Sequence, residues 1–359
     1  MNIAEYVRDG EVLIMPDNPG LLYCGRIGMN ADFEPEFTFP CSYVKWNFKG
    51  TGAAVIISCR SFYWNAYAGC ILDGRQLVLE LPKDGTVRLE LGHNLPDCDH
   101  TITFFKRQDA CNILTIHGIV LDNGSELAKA PARPERRIEV YGDSVSAGEV
   151  SEAVAYIARP DPEGHEGCYS NSWYSYSWIT ARKLHAELHD IAQGGVALLP
   201  GTGWFAGPDY VGLEQIYDKV RYYPDLEHAT TWDFNSYVPH VVIVAIGQND
   251  ANPDNYMKDD YDSAKAVTWR ARYAAFLRTL RGHYPHALII CATTLLEHDP
   301  AWDRAIDEVV REMADQKITH FMYTENGAAT PGHIRIPEAE IMAQELSSYI
   351  ESFGKEIWK

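Results

Sequence analysis

A change of hydrophobic period near residue 130 constrains this 359-residue chain more than any other feature. Before it, short runs rich in β-branched and aromatic residues follow one another at residues 51–60, 68–72, 75–80, 86–91, 100–107 and 113–121. Gly, Asp, Asn and Pro punctuate them, and Asp73-Gly74 and Asp84-Gly85 are hairpin-type dipeptides. No helical period interrupts, so residues 1–130 read as an all-β jelly roll or sandwich. Residues 131–137, with Pro131 and Pro134 among alternating charges, read as a linker. From residue 138 the pattern turns to strands alternating with helices. Strands are expected at 138–141, 188–192, 241–246, 287–292 and 320–323, and helices at 173–188, 263–281, 302–316 and 337–353. Residues 138–359 therefore read as an α/β domain, a parallel sheet flanked by helices.

Composition narrows the function. Fifty acidic against 31 basic residues give a net charge of -19 and a pI near 5.0. Such a field repels nucleic acid, and no Lys/Arg cluster offsets it locally. No stretch approaches the ~20 apolar residues of a membrane span. The N-terminus lacks the apolar core of a signal peptide, so a cytoplasmic location is expected. The eight cysteines form no CxxC pair, which argues against a zinc or thioredoxin-like centre and for buried thiols.

Ligands of open α/β sheets sit at the carboxyl ends of strands, and three expected strands end in residues suited to chemistry. Gly142-Asp143-Ser144 follows the first and can present a hydroxyl on a tight turn. Gly194-Gly195 follows the second, where glycine lets a backbone N–H approach a ligand. Gly247-Gln248-Asn249-Asp250 follows the third, and an asparagine amide can donate to an oxyanion. Each motif alone is more ordinarily a turn or a helix cap. A serine also needs a base. Among thirteen histidines, His333 in Thr330-Pro331-Gly332-His333 stands out, on a loop between the last strand and the last helix, at the same edge of the sheet. The order of the four motifs makes a chance origin for the whole set hard to sustain.

That order resembles the SGNH hydrolase superfamily, whose blocks supply Ser, Gly, Asn and His in turn. An N-terminal jelly roll ahead of a GDS-bearing α/β domain resembles, more narrowly, carbohydrate esterase family 2, which includes acetyl xylan esterases. The resemblance implies Ser144 as nucleophile, His333 as general base, and Ser144, Gly195 and Asn249 as the oxyanion hole, with Gly194 a one-residue alternative to Gly195. It implies a serine esterase that removes O-acetyl groups from xylan or xylo-oligosaccharides through an acetyl-enzyme, with no metal or cofactor. One departure stands out. The superfamily often places an aspartate three residues before the histidine, where this chain has Thr330. Glu325 and Glu338 are the nearest acids, and the family includes members that work with a Ser–His dyad.

Trp204 and Trp173 are candidate sugar platforms, with core packing the ordinary alternative. The polar stretch 149–167 reads as a cleft-edge loop. Two rival readings remain: an SGNH esterase or lipase acting on other short acyl esters, and a catalytically silent carbohydrate-binding protein. A cytoplasmic enzyme would meet imported acetylated oligosaccharides, and the edge strands of the β domain suggest a homo-oligomer.

Overall fold

The computed structural model describes residues 2–359, which form two compact units. The first runs to Arg133 and takes in Glu166–Cys168; the second is Pro134–His165 with Tyr169–Lys359.

The first unit holds twelve strands: β1 (Val12–Ile14), β2 (Leu22–Cys24), β3 (Ile27–Met29), β4 (Pro35–Phe37), β5 (Tyr43–Gly50), β6 (Ala53–Ser61), β7 (Ala66–Leu72), β8 (Arg75–Leu81), β9 (Asp84–Gly92), β10 (Cys98–Lys106), β11 (Asn112–Leu121) and β12 (Glu126–Leu127). They build two antiparallel sheets, β3-β4-β11-β6-β9 with β1 on β11, and β12-β5-β10-β7-β8 with β2 on β5. Alternation fills the space between them: Val44, Trp46 and Phe48 of one sheet meet a core shared with Val55, Ile57, Leu114 and Ile116 of the other. Asp73 and Gly74, both at positive φ, turn the β7–β8 hairpin, as their dipeptide predicts. Asp84-Gly85 is a correction. It opens β9, which pairs with β6 in the other sheet, so the chain crosses between sheets there and makes no hairpin. Six of the eight cysteines are buried.

The second unit begins with β13 (Arg136–Gly142), so the strand reaches into residues expected as linker. There follow α1 (Ser144–Ala147), α2 (Tyr176–Lys183), β14 (Ala186–Ala192), the one-turn segments α3 (Gly207–Tyr210) and α4 (Leu213–Ile216), β15 (Val241–Ala245), α5 (Tyr256–Asp259), α6 (Ala264–His283), β16 (Leu288–Ala292), α7 (Pro300–Met313), β17 (Ile318–His320) and α8 (Ile336–Ser352). The five strands are parallel in the order β14-β13-β15-β16-β17. That is the 2-1-3-4-5 order, whose direction reverses beside the first strand.

Helix limits follow from local chemistry. The Ser263 hydroxyl caps α6 by accepting from Ala266 N–H, and the Asp299 carboxylate caps α7 ahead of Pro300. Along α7, Trp302, Ala305, Ile306, Val309 and Val310 are buried at the spacing of one helical face. The helix expected at 173–188 is shorter. Leu184 is its cap and His185 takes the left-handed conformation, so Leu188 belongs to β14. Among the described residues, no helix is long and apolar enough to cross a membrane.

Candidate functional site

Three loops leave one edge of the parallel sheet at matched register. Gly142, the last residue of β13, lies opposite Ala192 of β14 and Ala245 of β15. Ser144, Gly195 and Asn249 follow these residues by two, three and four positions. Ser144 is buried and opens α1, and the Asp143 carboxylate accepts from Val145 N–H at 3.0 Å to cap that turn. The Ser144 carbonyl accepts from Glu149 N–H at 3.0 Å, closing the turn through Gly148. Gly148 has φ +75, and a side chain there would come within 2.6 Å of the Asn171 carbonyl.

Asp143 ties the blocks together. Its Oδ2 accepts from Gln248 Nε2 at 2.6 Å and from Asn249 Nδ2 at 2.9 Å. Burial pushes its carboxyl up to about 6 against these hydrogen bonds. The Asn249 amide also donates to the Val196 carbonyl at 3.2 Å, so to serve an oxyanion it must share or release that longer bond. Asp250 accepts from Leu198 N–H at 3.0 Å and from Trp269 Nε1 at 2.7 Å, which fixes the loop that carries Gly195. Of the two glycines, Gly195 takes the left-handed φ of +73. A methyl group on it would lie 2.8 Å from Phe205 N and 2.9 Å from Trp204 Cβ.

His333 lies on the loop between β17 and α8. Its Nδ1 meets Asp161 Oδ2 at 2.7 Å, and its backbone N–H donates to Asp161 Oδ1 at 3.1 Å. Its Nε2 lies 3.8 Å from Glu149 Oε2, so that nitrogen looks toward the segment Ser144 opens. Desolvation pulls the imidazole pKa down, but Glu149, Asp161 and Asp143 together outweigh it and push it up to about 9. Neither acid nearest in sequence orients the ring. Glu338 accepts instead from Thr330 N–H and Oγ1 at 2.9 and 2.8 Å and from Arg335 N–H at 2.7 Å, and no contact joins Glu325 to the imidazole among the described residues. Sequence reasoning missed Asp161 and Glu149. Both fall in the 149–167 stretch read only as a cleft-edge loop, and nothing in their spacing links either to a histidine more than 170 positions on.

The two tryptophans part company. Trp204 is 70% exposed, and its backbone N–H donates to the Gly195 carbonyl at 2.8 Å, which ties its main chain to the glycine block. Trp173 is half-buried, with the Arg182 guanidinium 4.0 Å from its ring centre and Trp178 edge-on at 4.9 Å.

Among the described residues, no group of three or more His, Cys, Asp or Glu could hold a metal ion. A second Ser–His–carboxylate line occurs in the β unit, with Ser58 Oγ 2.6 Å from His117 Nε2 and His117 Nδ1 2.7 Å from Glu34 Oε1. Ser58 sits mid-strand between Thr115 and Thr86, so its backbone is committed to the ladder and has no N–H to offer an oxyanion.

Residues 23–131 match the family model described as the carbohydrate esterase 2 N-terminal domain. The chain resembles carbohydrate esterase family 2. It is 29% identical to the cellulase/esterase CelE of Acetivibrio thermocellus over 94% of its own length, and spans 40% of CelE. It is 27% identical to an acetylxylan esterase/glucomannan deacetylase of Cellvibrio japonicus, over 77% of this chain and 72% of that protein. A family two carbohydrate esterase from Clostridium thermocellum, solved with cellohexaose, superposes with a TM-score of 0.79 at 26% identity, covering 95% of this chain and all of that one. The likeness to that esterase thus takes in both the antiparallel β unit and the parallel α/β unit. Where Ser144, Gly195 and Asn249 follow neighbouring strand ends, a histidine with one nitrogen on a carboxylate and the other toward the serine segment is suited to acyl transfer.

Proposed function

We propose that the chain is a serine carboxylic ester hydrolase that removes O-acetyl groups from carbohydrate. One observation carries this reading: His333 turns Nε2 toward the segment that begins at Ser144, with Glu149 at 3.8 Å and Asp143 close enough to act on it electrostatically. In the first half-reaction, Nε2 takes the Ser144 Oγ proton as Oγ bonds to the acetyl carbon. The oxyanion is held by the Ser144 and Gly195 N–H groups and by the Asn249 amide, which releases Val196 O. Collapse breaks the bond between the acetyl carbonyl carbon and the sugar oxygen, and His333 returns the proton to that departing oxygen. Water then attacks the acetyl-enzyme by the same route and frees acetate. The relatives' names support acetylated xylan or glucomannan fragments as substrates, and exposed Trp204 offers an apolar face for a sugar ring.

Acetate release from acetylated xylo-oligosaccharides tests the proposal, alongside 4-nitrophenyl acetate and octanoate. The expected result is turnover of the first two, little of the octanoate, loss of turnover in Ser144→Ala, and phosphonate labelling of Ser144 with Ser58 untouched. Faster octanoate hydrolysis favours the short-acyl or lipase reading. A parent that binds acetylated oligosaccharide without releasing acetate favours the silent binding protein.

A further inference from the structure

We propose that Asp161 is the positioning residue of His333, supplied from the loop after the serine because the place three residues before the histidine holds a threonine. The inference rests on the Ser144–His333 reading above and adds to it the group that fixes the base.

Asp161 grips His333 twice, at Nδ1 (2.7 Å) and at the backbone N–H (3.1 Å). Holding ring and backbone of one residue with one carboxylate fixes both where the imidazole sits and how it is rotated. Arg335 completes the frame. Its guanidinium is buried, lies 2.9 Å from Asp161 Oδ1, and donates through Nη1 to the His333 carbonyl. Gly332 leaves the space: at φ +83 it has no Cβ, and one built there would fall 2.7 Å from the Asp161 carboxylate. Thr330 has taken a different task. Its Oγ1 accepts from Ala158 N–H at 2.9 Å and donates to Glu338, so it ties the chain just before Asp161 to the histidine loop. Burial opposes ionisation of Asp161, but the bonds from His333 and Arg335 hold it well below the usual carboxylate range. It is therefore an anion at any working pH. An anion on Nδ1 fixes the tautomer with hydrogen on Nδ1 and the lone pair on Nε2, the nitrogen 3.8 Å from Glu149, and it stabilises the imidazolium formed on proton transfer.

Four measurements test this. In the unaltered protein, ring nitrogen NMR of neutral His333 is expected to show the Nδ1–H tautomer; the opposite tautomer overturns the proposal. In Asp161→Asn, an amide can donate to Nδ1 and select the wrong tautomer, so kcat is expected to fall ~10³–10⁴-fold with KM within about threefold. Its acid limb should move to lower pH, because the ring loses an anionic neighbour. Asp161→Ala is expected to regain activity with added formate, which an unfolded chain cannot do. As a control, Asp225→Asn, which removes the carboxylate 2.7 Å from the exposed His228, should leave all of these unchanged. A kcat within threefold of the parent and an unmoved limb in Asp161→Asn overturn the proposal. So does a loss that formate does not relieve in a protein melting where the parent does. The esterase reading fails separately: a parent that hydrolyses no ester, yet whose His333 titration moves down in Asp161→Asn, removes that reading and keeps the Asp161–His333 linkage.

Discussion

Glu149 puts a second carboxylate against His333, on the nitrogen that must be unprotonated for the base to work. Desolvation opposes the charged imidazole, but with Asp161 on the other nitrogen and Asp143 nearby three anions outweigh it and push the ring up to about 9, while Arg335 bonds to the His333 carbonyl. The sign follows directly. A general base acts only when neutral, so kcat/KM of the free enzyme should climb with pH through 7 and 8, reach half its limit near 9 and level off above that. In Glu149→Gln one anion is gone, the folded pKa falls, and the climb should move to lower pH by about one unit. At pH 7 this variant is then expected to exceed the parent by up to ~10-fold in kcat/KM, as pH–rate profiles on 4-nitrophenyl acetate would reveal. A limb that stays put would mean that Glu149 is screened from Nε2. A slower enzyme at every pH would mean that Glu149 contacts the substrate.

The elements place Ser144, Gly195 and Asn249, and Asp143 holds their loops together. Its carboxylate accepts from Val145 N–H in the first loop and from Gln248 and Asn249 in the third, and Asn249 reaches the second through Val196 O. In Asp143→Ala these donors lose their acceptor in a buried setting, which should cost roughly 2–4 kcal/mol. The melting temperature of the second unit should drop by about 5–15 °C, together with activity; a melt within 2 °C of the parent's would show that other contacts hold the loops. This convergence was partly legible in the sequence. Continuous apolar runs such as Val241–Ala245 mark buried parallel strands, and a glycine-bearing motif after each strand marks one edge of the sheet. Helix ends were less legible. The spacing of Trp178, Ala181 and Leu184 continues into Leu188 by coincidence, while the chain has already turned at His185. The early β strands escaped notice because three residues are too few to show a period, although Val44, Trp46 and Phe48 alternate plainly in β5. The acid that meets His333 was not legible at all. A lone aspartate in a polar loop carries no periodic signal, and its pairing is fixed only by tertiary folding.

At the scale of the whole molecule the dominant fact is charge, 50 acidic against 31 basic side chains. A net charge of -19 makes a repulsive field for anions, and the reach of that field depends on salt, from ~30 Å at 0.01 M to ~10 Å at 0.1 M. Near the reacting centre the same sign prevails, since Glu149, Asp161 and Asp143 outnumber Arg335 around His333. Acetylated oligosaccharides come both neutral and bearing uronate groups, and the field separates them. The neutral ones carry no charge for it to act on, so their kcat/KM should be flat between 0.01 and 0.3 M salt, a range over which the Debye length shrinks from ~30 Å to ~6 Å. The uronate-bearing ones should start slower and gain several-fold over that range, as repulsion is screened on approach. The gain should appear in kcat/KM and not in kcat, because a long-range field governs encounter and not the acyl transfer itself. If uronate substrates instead lose rate with salt, a local cationic surface guides them in, and the net charge is the wrong guide to what this cleft admits.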